Sequence, residues 1–304
     1  MTAQRDTIVE LTPVVGRLLD KHLQLAKEWF PHELVPWGRG RDFTPGETWR
    51  ADDQLPDGLR SALFVNLLTE DNLPYYFNCI DGLYGSDDAW GTWARQWTAE
   101  EGRHSIVLRD YFSVTRLLDP VELERARMAQ VSGGQVPNPI GPLDGLAYVA
   151  LQELATRVSH RNTGKLLDDP AGVAVMNRVA ADENLHFVFY RDLVLEALSI
   201  DPSATVCAIE RQVRDFEMPG TGIVNFRTHA AAIANAGIYD LLVHHESVLT
   251  PVVIRQWNVA GLDGLDDEAE QARARLLKRI ERIGRAGRRM ASRREEQRAS
   301  TRVA

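Results

Sequence analysis

The amino-acid sequence predicts an all-α protein, a four-helix bundle core with additional helices around it. Three observations carry that expectation. Apolar residues recur at spacings of three and four along most of the chain, as they do on one face of a helix. Alternating polar–apolar runs of the strand type are nearly absent. Glycine- and proline-rich breakers cut the periodic stretches into pieces of helix length.

The first periodic stretch is 8–30, IVELTPVVGRLLDKHLQLAKEWF, and a long loop, 35–58, follows it. Three more stretches, 58–84, 88–118 and 121–131, lead to a second loop, SGGQVPNPIGP at 132–142. The stretches 142–167 and 171–198 are parted by DDPAG at 168–172. Helices at 203–215 and 225–235 come next, and after a stop at 259–267 a last one covers 269–290. No low-complexity segment or shift in composition marks a boundary. The expectation is a single domain over 1–304, with 269–304 as a basic C-terminal helical extension.

With 304 residues, 44% of them hydrophobic, the chain is long enough to bury a large core. It holds no apolar run that could span a bilayer. MTAQRDTIVELTPVV shows no basic region followed by an apolar block, so no secretory signal is expected and the protein is read as cytoplasmic. Cys79 and Cys207 are too few and too far apart for a disulfide framework or a thiolate metal site, and are expected as buried apolar fillers. The formal net charge is −8, yet 273–302 is strongly basic with three glutamates, a segment suited to an acidic partner or to a solvated helix. No zinc-finger spacing, RNP motif or basic–aromatic stripe points to nucleic acid.

The chemistry-bearing residues sit where helices should be apolar. Glu-x-x-His occurs twice, as Glu101–His104 and Glu183–His186, and a three-residue step puts both side chains on one face. Glu70 follows FVNLLT, and Glu153 sits in GLAYVALQELATRV. A carboxylate in such surroundings needs a cation, a proton or a metal. Glu70 to Glu101 is 31 residues and Glu153 to Glu183 is 30, so each half holds a glutamate helix, a turn and a Glu-x-x-His helix. At ~1.5 Å per residue, an antiparallel hairpin brings such residues to one height. The 49 residues from His104 to Glu153 leave room for one long crossover. This is the pattern of ferritin-like carboxylate di-iron bundles. Four carboxylates and two imidazoles without thiolates suit iron or manganese better than structural zinc. Glu100 competes with Glu101, and the step shared by both halves selects Glu101.

With those motifs in view, the sequence resembles the soluble acyl-carrier-protein desaturases, especially their actinobacterial members. TEDNLPYY (69–76), WTAEEGRH (97–104), LQELATRVSHRNTG (151–164) and ADENLH (181–186) resemble the four ligand helices of that family. EWFPHELVP (28–36), FEMPG (216–220), 236–259 and the arginine-rich C-terminal helix extend the similarity from about residue 10 to 300. The resemblance implies Glu70, His104, Glu153 and His186 as terminal ligands and Glu101 and Glu183 as bridges. It also implies an electron route through Trp29, Asp182 and His104, and a hydroxyl beside the metals from Thr156. The family's second Glu-x-x-His motif usually carries a basic pair where this chain has Asn184–Leu185, and its first usually carries asparagine where this chain has Gly102.

The activity implied is O₂-dependent insertion of a cis double bond into a carrier-bound fatty acyl chain. The cofactor implied is a pair of iron ions, ferrous when reduced, with O₂ as co-substrate. The partners implied are an acyl carrier protein, a ferredoxin-like electron donor and a second copy of the chain in a homodimer. Ala150, Ala155, Tyr75, Tyr76 and Phe187 are candidate walls of an acyl channel, though such residues are more often ordinary core. The alternatives are another di-iron oxidase on the same scaffold, such as a hydroxylase or specialised-metabolite oxidase, and a non-catalytic iron-binding bundle.

Overall fold

The computed structural model describes residues 2–50, 55–137 and 139–303. Residues 51–54 and Asn138, inside the two expected loops, lie outside the described residues, as do Met1 and Ala304. In chain order the helices are α1 (Thr2–Leu25), α2 (Pro31–Leu34), α3 (Asp57–Glu70), α4 (Leu73–Tyr84), α5 (Asp88–Thr115), α6 (Pro120–Gly133), α7 (Pro142–Gly164), α8 (Pro170–Ile200), α9 (Pro202–Arg214), α10 (Phe226–Ala236), α11 (Leu241–His244) and α12 (Asp267–Val303). A π-helix continues α11 over His245–Gln256, and no strand occurs among the described residues.

Local chemistry sets the helix starts. Asp119, Asp169 and Asp201 each precede a proline that opens a helix, and each carboxylate accepts backbone N–H groups of the first turn. Proline is pre-shaped for that position, and the aspartate satisfies donors the helix cannot, a contribution of about 1 kcal/mol per cap. Gly134 and Gly237 end α6 and α10 in the left-handed conformation, at φ +61° and +77°.

The bundle consists of α3, α5, α7 and α8. The helix α7 lies along α8 and α3 along α5, while α5 meets α8 and α3 meets α7. The helix α6 and the segment after it form the crossover, α1 lies across α5 and α8, and α9 packs on α7 and α12. Two apolar clusters fill the interior. On α5, Trp97 belongs to one and Val107 to the other; on α8, Phe187 and Val179 divide in the same way. Glu101, His104, Glu183 and His186 therefore form a polar layer where the two apolar bodies meet. Ala269, Ala272, Leu276 and Ile280 are buried, so the first half of α12 packs against the body.

Three stretches depart from the periodicity. The first helix stops at Leu25 and does not reach Phe30, which, as the residue before Pro31, is extended at φ −125°. The expected helix 58–84 is two helices, broken at Asp71–Asn72, since Pro74 in the first turn of α4 has no N–H for a continuous ladder. Residues 236–259, without an expected element, hold α11 and the π-helix, which runs through Pro251. Cys79 and Cys207 are both half-buried and neither forms a disulfide.

His244 stacks on Phe216, and its Nδ1 lies 2.8 Å from the Tyr239 hydroxyl. Burial, helped by neighbouring His245, lowers its pKa to about 4. The unfolded chain therefore binds a proton there that the folded chain refuses between pH 6.5 and 4. Stability falls as pH drops through that window, by roughly 3 kcal/mol at most. Urea unfolding at pH 7 and pH 5 should show a smaller acid-side loss in His244→Gln than in the parent.

Candidate metal centre

Four helices deliver the six expected residues to one place. One donor atom from each of Glu70, Glu101, His104 and Glu183 lies within 4.8 Å of the others, and the same holds for Glu101, Glu153, Glu183 and His186. The two quartets share Glu101 and Glu183. All six side chains are buried. His104 Nδ1 faces Glu101 Oε2 at 3.0 Å, Glu70 Oε2 at 3.6 Å and Glu183 Oε1 at 3.7 Å. His186 Nδ1 faces Glu101 Oε1 at 2.8 Å and Glu153 Oε2 at 3.7 Å. Each imidazole thus turns Nδ1 inward.

The outward nitrogens meet carboxylates that the sequence places one residue before Glu101 and Glu183, the glutamates shared by both quartets. His104 Nε2 faces Asp182 Oδ2 at 3.5 Å, and His186 Nε2 lies 2.9 Å from Glu100 Oε2. Trp29 Nε1 donates to Asp182 Oδ2 at 2.7 Å, and Arg178 pairs with Asp182 Oδ1. Trp29, Asp182 and His104 are consequently in line. Thr156 Oγ1 donates to Glu183 Oε2 at 3.0 Å. Trp97 Nε1 donates to Glu153 Oε1 at 3.2 Å.

Charge is crowded in the cage. Burial, then the charges of Glu101 and Glu153, push the Glu183 carboxyl well above its usual range. Burial also works to raise Glu101, but the charges of His104 and His186 outweigh it and hold that carboxyl low. Burial opposes the charged form of both histidines, and the Glu101 charge nevertheless raises them well above their ordinary value. Glu153 Oε2 is buried with no hydrogen-bond partner. Without a metal, carboxylates this close are accommodated by a proton on Glu183 and charge on the two imidazoles; two divalent ions would balance four ionised carboxylates. Oxygen donors with two imidazoles and no thiolate fit a pair of iron or manganese ions.

Two clefts flank the cage. One, of about 650 Å³ counting space open to solvent, is lined by Leu73, Tyr76, Ile80, Leu83, Tyr148 and Val149, and reaches Glu70, Glu101 and Glu183. The other, of about 620 Å³, is lined by Asn66, Ser159, His160, Phe226 and Tyr239 among others, and shares Thr69, Glu70, Thr156 and Pro219 with the first. Of the candidate walls, Tyr76 lines the first cleft. Ala150, Ala155 and Phe187 pack in the apolar core, and Tyr75 turns its hydroxyl to the Val131 carbonyl at 2.6 Å. A side chain at Gly102 meets no atom within 4 Å.

Three neighbours of the cage escaped the sequence reading in the positions they occupy. Glu100 Oε2 lies 2.9 Å from His186 Nε2, and Glu100, His22 and His186 form a third buried group whose donor atoms lie within 4.8 Å of one another. His22 of α1 contacts Glu100 at 2.9 Å. His160 Nε2 lies 3.0 Å from Glu70 Oε1. A signal for His160 exists, since Glu153, Thr156 and His160 step by three and four along one face of α7.

The family model described as "Fatty acid desaturase" matches residues 3–304. The chain belongs to the fatty acid desaturase family. It is 41% identical over 278 residues to a Mycobacterium tuberculosis protein named as the acyl-(acyl-carrier-protein) desaturase DesA1, covering 88% of this chain and 82% of that one. It is 34% identical over 271 residues to the chloroplastic acyl-(acyl-carrier-protein) desaturase 6 of Oryza sativa subsp. japonica, covering 81% of this chain and 64% of the rice protein. An X-ray structure named for the acyl-ACP desaturase DesA2 of M. tuberculosis H37Rv superposes at a TM-score of 0.69 with 28% identity, over 88% of this chain and 99% of that one. The architecture of this fatty acid desaturase family member is accordingly the all-α, ferritin-like bundle. No helix among its described residues is long and apolar enough to cross a membrane.

Charge crowding at the cage makes opposite demands on the metal-free and metal-loaded protein. Glu183→Gln should raise the melting temperature of chelator-treated protein, by roughly 1 kcal/mol or more in stability, because it removes a buried acid from a crowd of carboxylates. The same variant should lose most of the stabilisation that ferrous iron gives the parent. Thermal melts with and without iron check both.

Proposed function

We propose that this protein is an O₂-dependent acyl-(acyl-carrier-protein) desaturase with a di-iron centre, acting in the cytoplasm as one homodimeric domain. The observation that carries the reading is the pair of carboxylate–histidine quartets sharing Glu101 and Glu183 beside an apolar cleft. The names of its relatives support the substrate class.

Glu70, Glu101 and His104 with Glu183 would hold one iron ion, and Glu153 and His186 with the same two bridging glutamates the other. When bound, the irons supply the oxidising power to remove two hydrogens from adjacent methylenes with O₂, which no side-chain acid or base can do. The protein's own part is placement. The first cleft accepts an extended hydrocarbon chain along Leu73, Tyr76, Ile80, Tyr148 and Val149 and excludes water from it. Thr156, in the wall shared by both clefts, can turn its hydroxyl proton to Glu183 Oε2 or to the Glu153 carbonyl, each at 3.0 Å, and so presents a hydroxyl between cleft and cage. Trp29 and Asp182 connect His104 to the surface side of α8 and serve as the path for the two electrons of each turnover, drawn from a ferredoxin-like donor. The basic face of α12 is the docking surface for an acidic acyl carrier protein.

Acyl-carrier substrates of several chain lengths, incubated with ferredoxin, its reductase and O₂, should yield a product two hydrogens lighter than the substrate. A product heavier by one oxygen would assign a hydroxylase, and no reductant-dependent product would exclude both. Glu153→Gln should retain the helical fold and lose turnover by more than the about 10–100-fold seen on removing a group behind a ligand. Full activity in that variant would remove Glu153 from the cage.

A further inference from the structure

Both outer carboxylates of the cage are reached from one short segment of chain outside the bundle. His22 lies in the last turn of α1, and Trp29 follows seven residues later. Trp29 Nε1 holds Asp182, which stands behind His104. His22 Nε2 holds Glu100, at 2.9 Å from Oε2 and 3.1 Å from Oε1, and Glu100 stands behind His186. The two arms are reciprocal. Each outer carboxylate precedes a bridging glutamate on its own helix and supports the histidine of the opposite helix.

The arms are unequally supported. Asp182 is bound by Trp29, Arg103 and Arg178. Among the described residues, the partners of Glu100 besides His186 are Gln96, at 2.6 Å on its own helix, and His22. His22 is itself fixed from both sides, edge-on to Trp93 at 5.0 Å and stacked over His186 at 5.8 Å. Its Nδ1 is buried without a hydrogen-bond partner, and the ring forms the floor of a small surface cleft walled by Leu18, Leu25 and Leu185. A Lys21–Asp192 ion pair at 3.0 Å also borders that cleft.

We propose that the end of α1 is a clamp on the metal centre, in which His22, acting through Glu100, is a positioning residue for the His186 ion. The inference rests on the di-iron reading above. Without His22, the Glu100 carboxylate keeps one neutral donor and is free to turn from His186 Nε2, so that imidazole loses the group that orients it. The His104 side, with its own arm to Trp29, keeps its orientation. Undocking α1 would release both arms together.

Anaerobic titration of the purified protein with ferrous iron against a competing chelator, joined to Mössbauer spectra, tests this. The parent should take up two ions per chain. His22→Ala should keep one ion at near-parental affinity and bind the other about 10–100-fold more weakly. His22→Gln, which retains a donor for Glu100, should recover part of the loss. Glu100→Gln should show the same one-sided defect, and combining it with His22→Ala should add little further. Leu11→Ala, which opens the buried face of the same helix, serves as the structural control and should lower stability without one-sided iron loss. Unchanged binding of both ions in His22→Ala overturns the clamp and leaves the desaturase reading intact. Equal weakening of both ions in His22→Ala, matched by Leu11→Ala, also overturns it, because the role would then be structural. A parent chain that binds no iron overturns the di-iron reading and the clamp with it.

Discussion

Four carboxylates forced to one point inside a protein are the constraint around which this molecule is organised. Two unit charges 4 Å apart interact by about 4 kcal/mol at an effective dielectric of 20, and the cage packs four such groups. No apolar core tolerates that arrangement unless positive charge is supplied in the same place. Two imidazoles enter with their Nδ1 atoms turned inward, and Glu183 still stands well above the usual carboxylate range. On the di-iron reading the remaining balance would come from metal ions, and because the donors come from four separate helices, such ions would tie those helices together.

The apolar parts of the chain make that cage possible. The polar layer lies where two hydrophobic clusters meet, so every ligand is pressed from above and below by packed side chains. Outside the ligands runs a second ring of carboxylates, Asp182 and Glu100, which fixes which nitrogen of each imidazole points inward. The clefts open onto the same layer, from two sides that share Thr69, Glu70 and Thr156. The clustered carboxylates and imidazoles all stand on helices, beside both clefts.

Most of the site was legible in the sequence because its information is periodic. A three-residue step within a motif and a thirty-residue step between helices are both consequences of helical rise, and they brought Glu70, Glu101, His104, Glu153, Glu183 and His186 into one set before any coordinates. The contributions from outside that period were not legible. His22 belongs to a helix that is amphipathic in the ordinary way, and only the crossing of α1 over α5 and α8 brings its ring to Glu100. The break between α3 and α4 rests on one proline in an otherwise continuous apolar pattern. The π-helix after α11 has a period that neither a helix nor a strand template matches, and Pro251 within it reads as a stop. The walls of the cleft were the least accessible. Tyr75 and Tyr76 are neighbours on α4, and the rotation of that helix alone sends one to the Val131 carbonyl and the other to the cleft.

The central claim is that the two quartets grip two ions through shared bridges. Anomalous X-ray diffraction at the iron edge, from crystals of iron-loaded protein, addresses it most directly. The account predicts two peaks per chain, one among Glu70, Glu101, His104 and Glu183 and one among Glu101, Glu153, Glu183 and His186. A single peak, or iron held at a location that excludes Glu101 and Glu183, would contradict it.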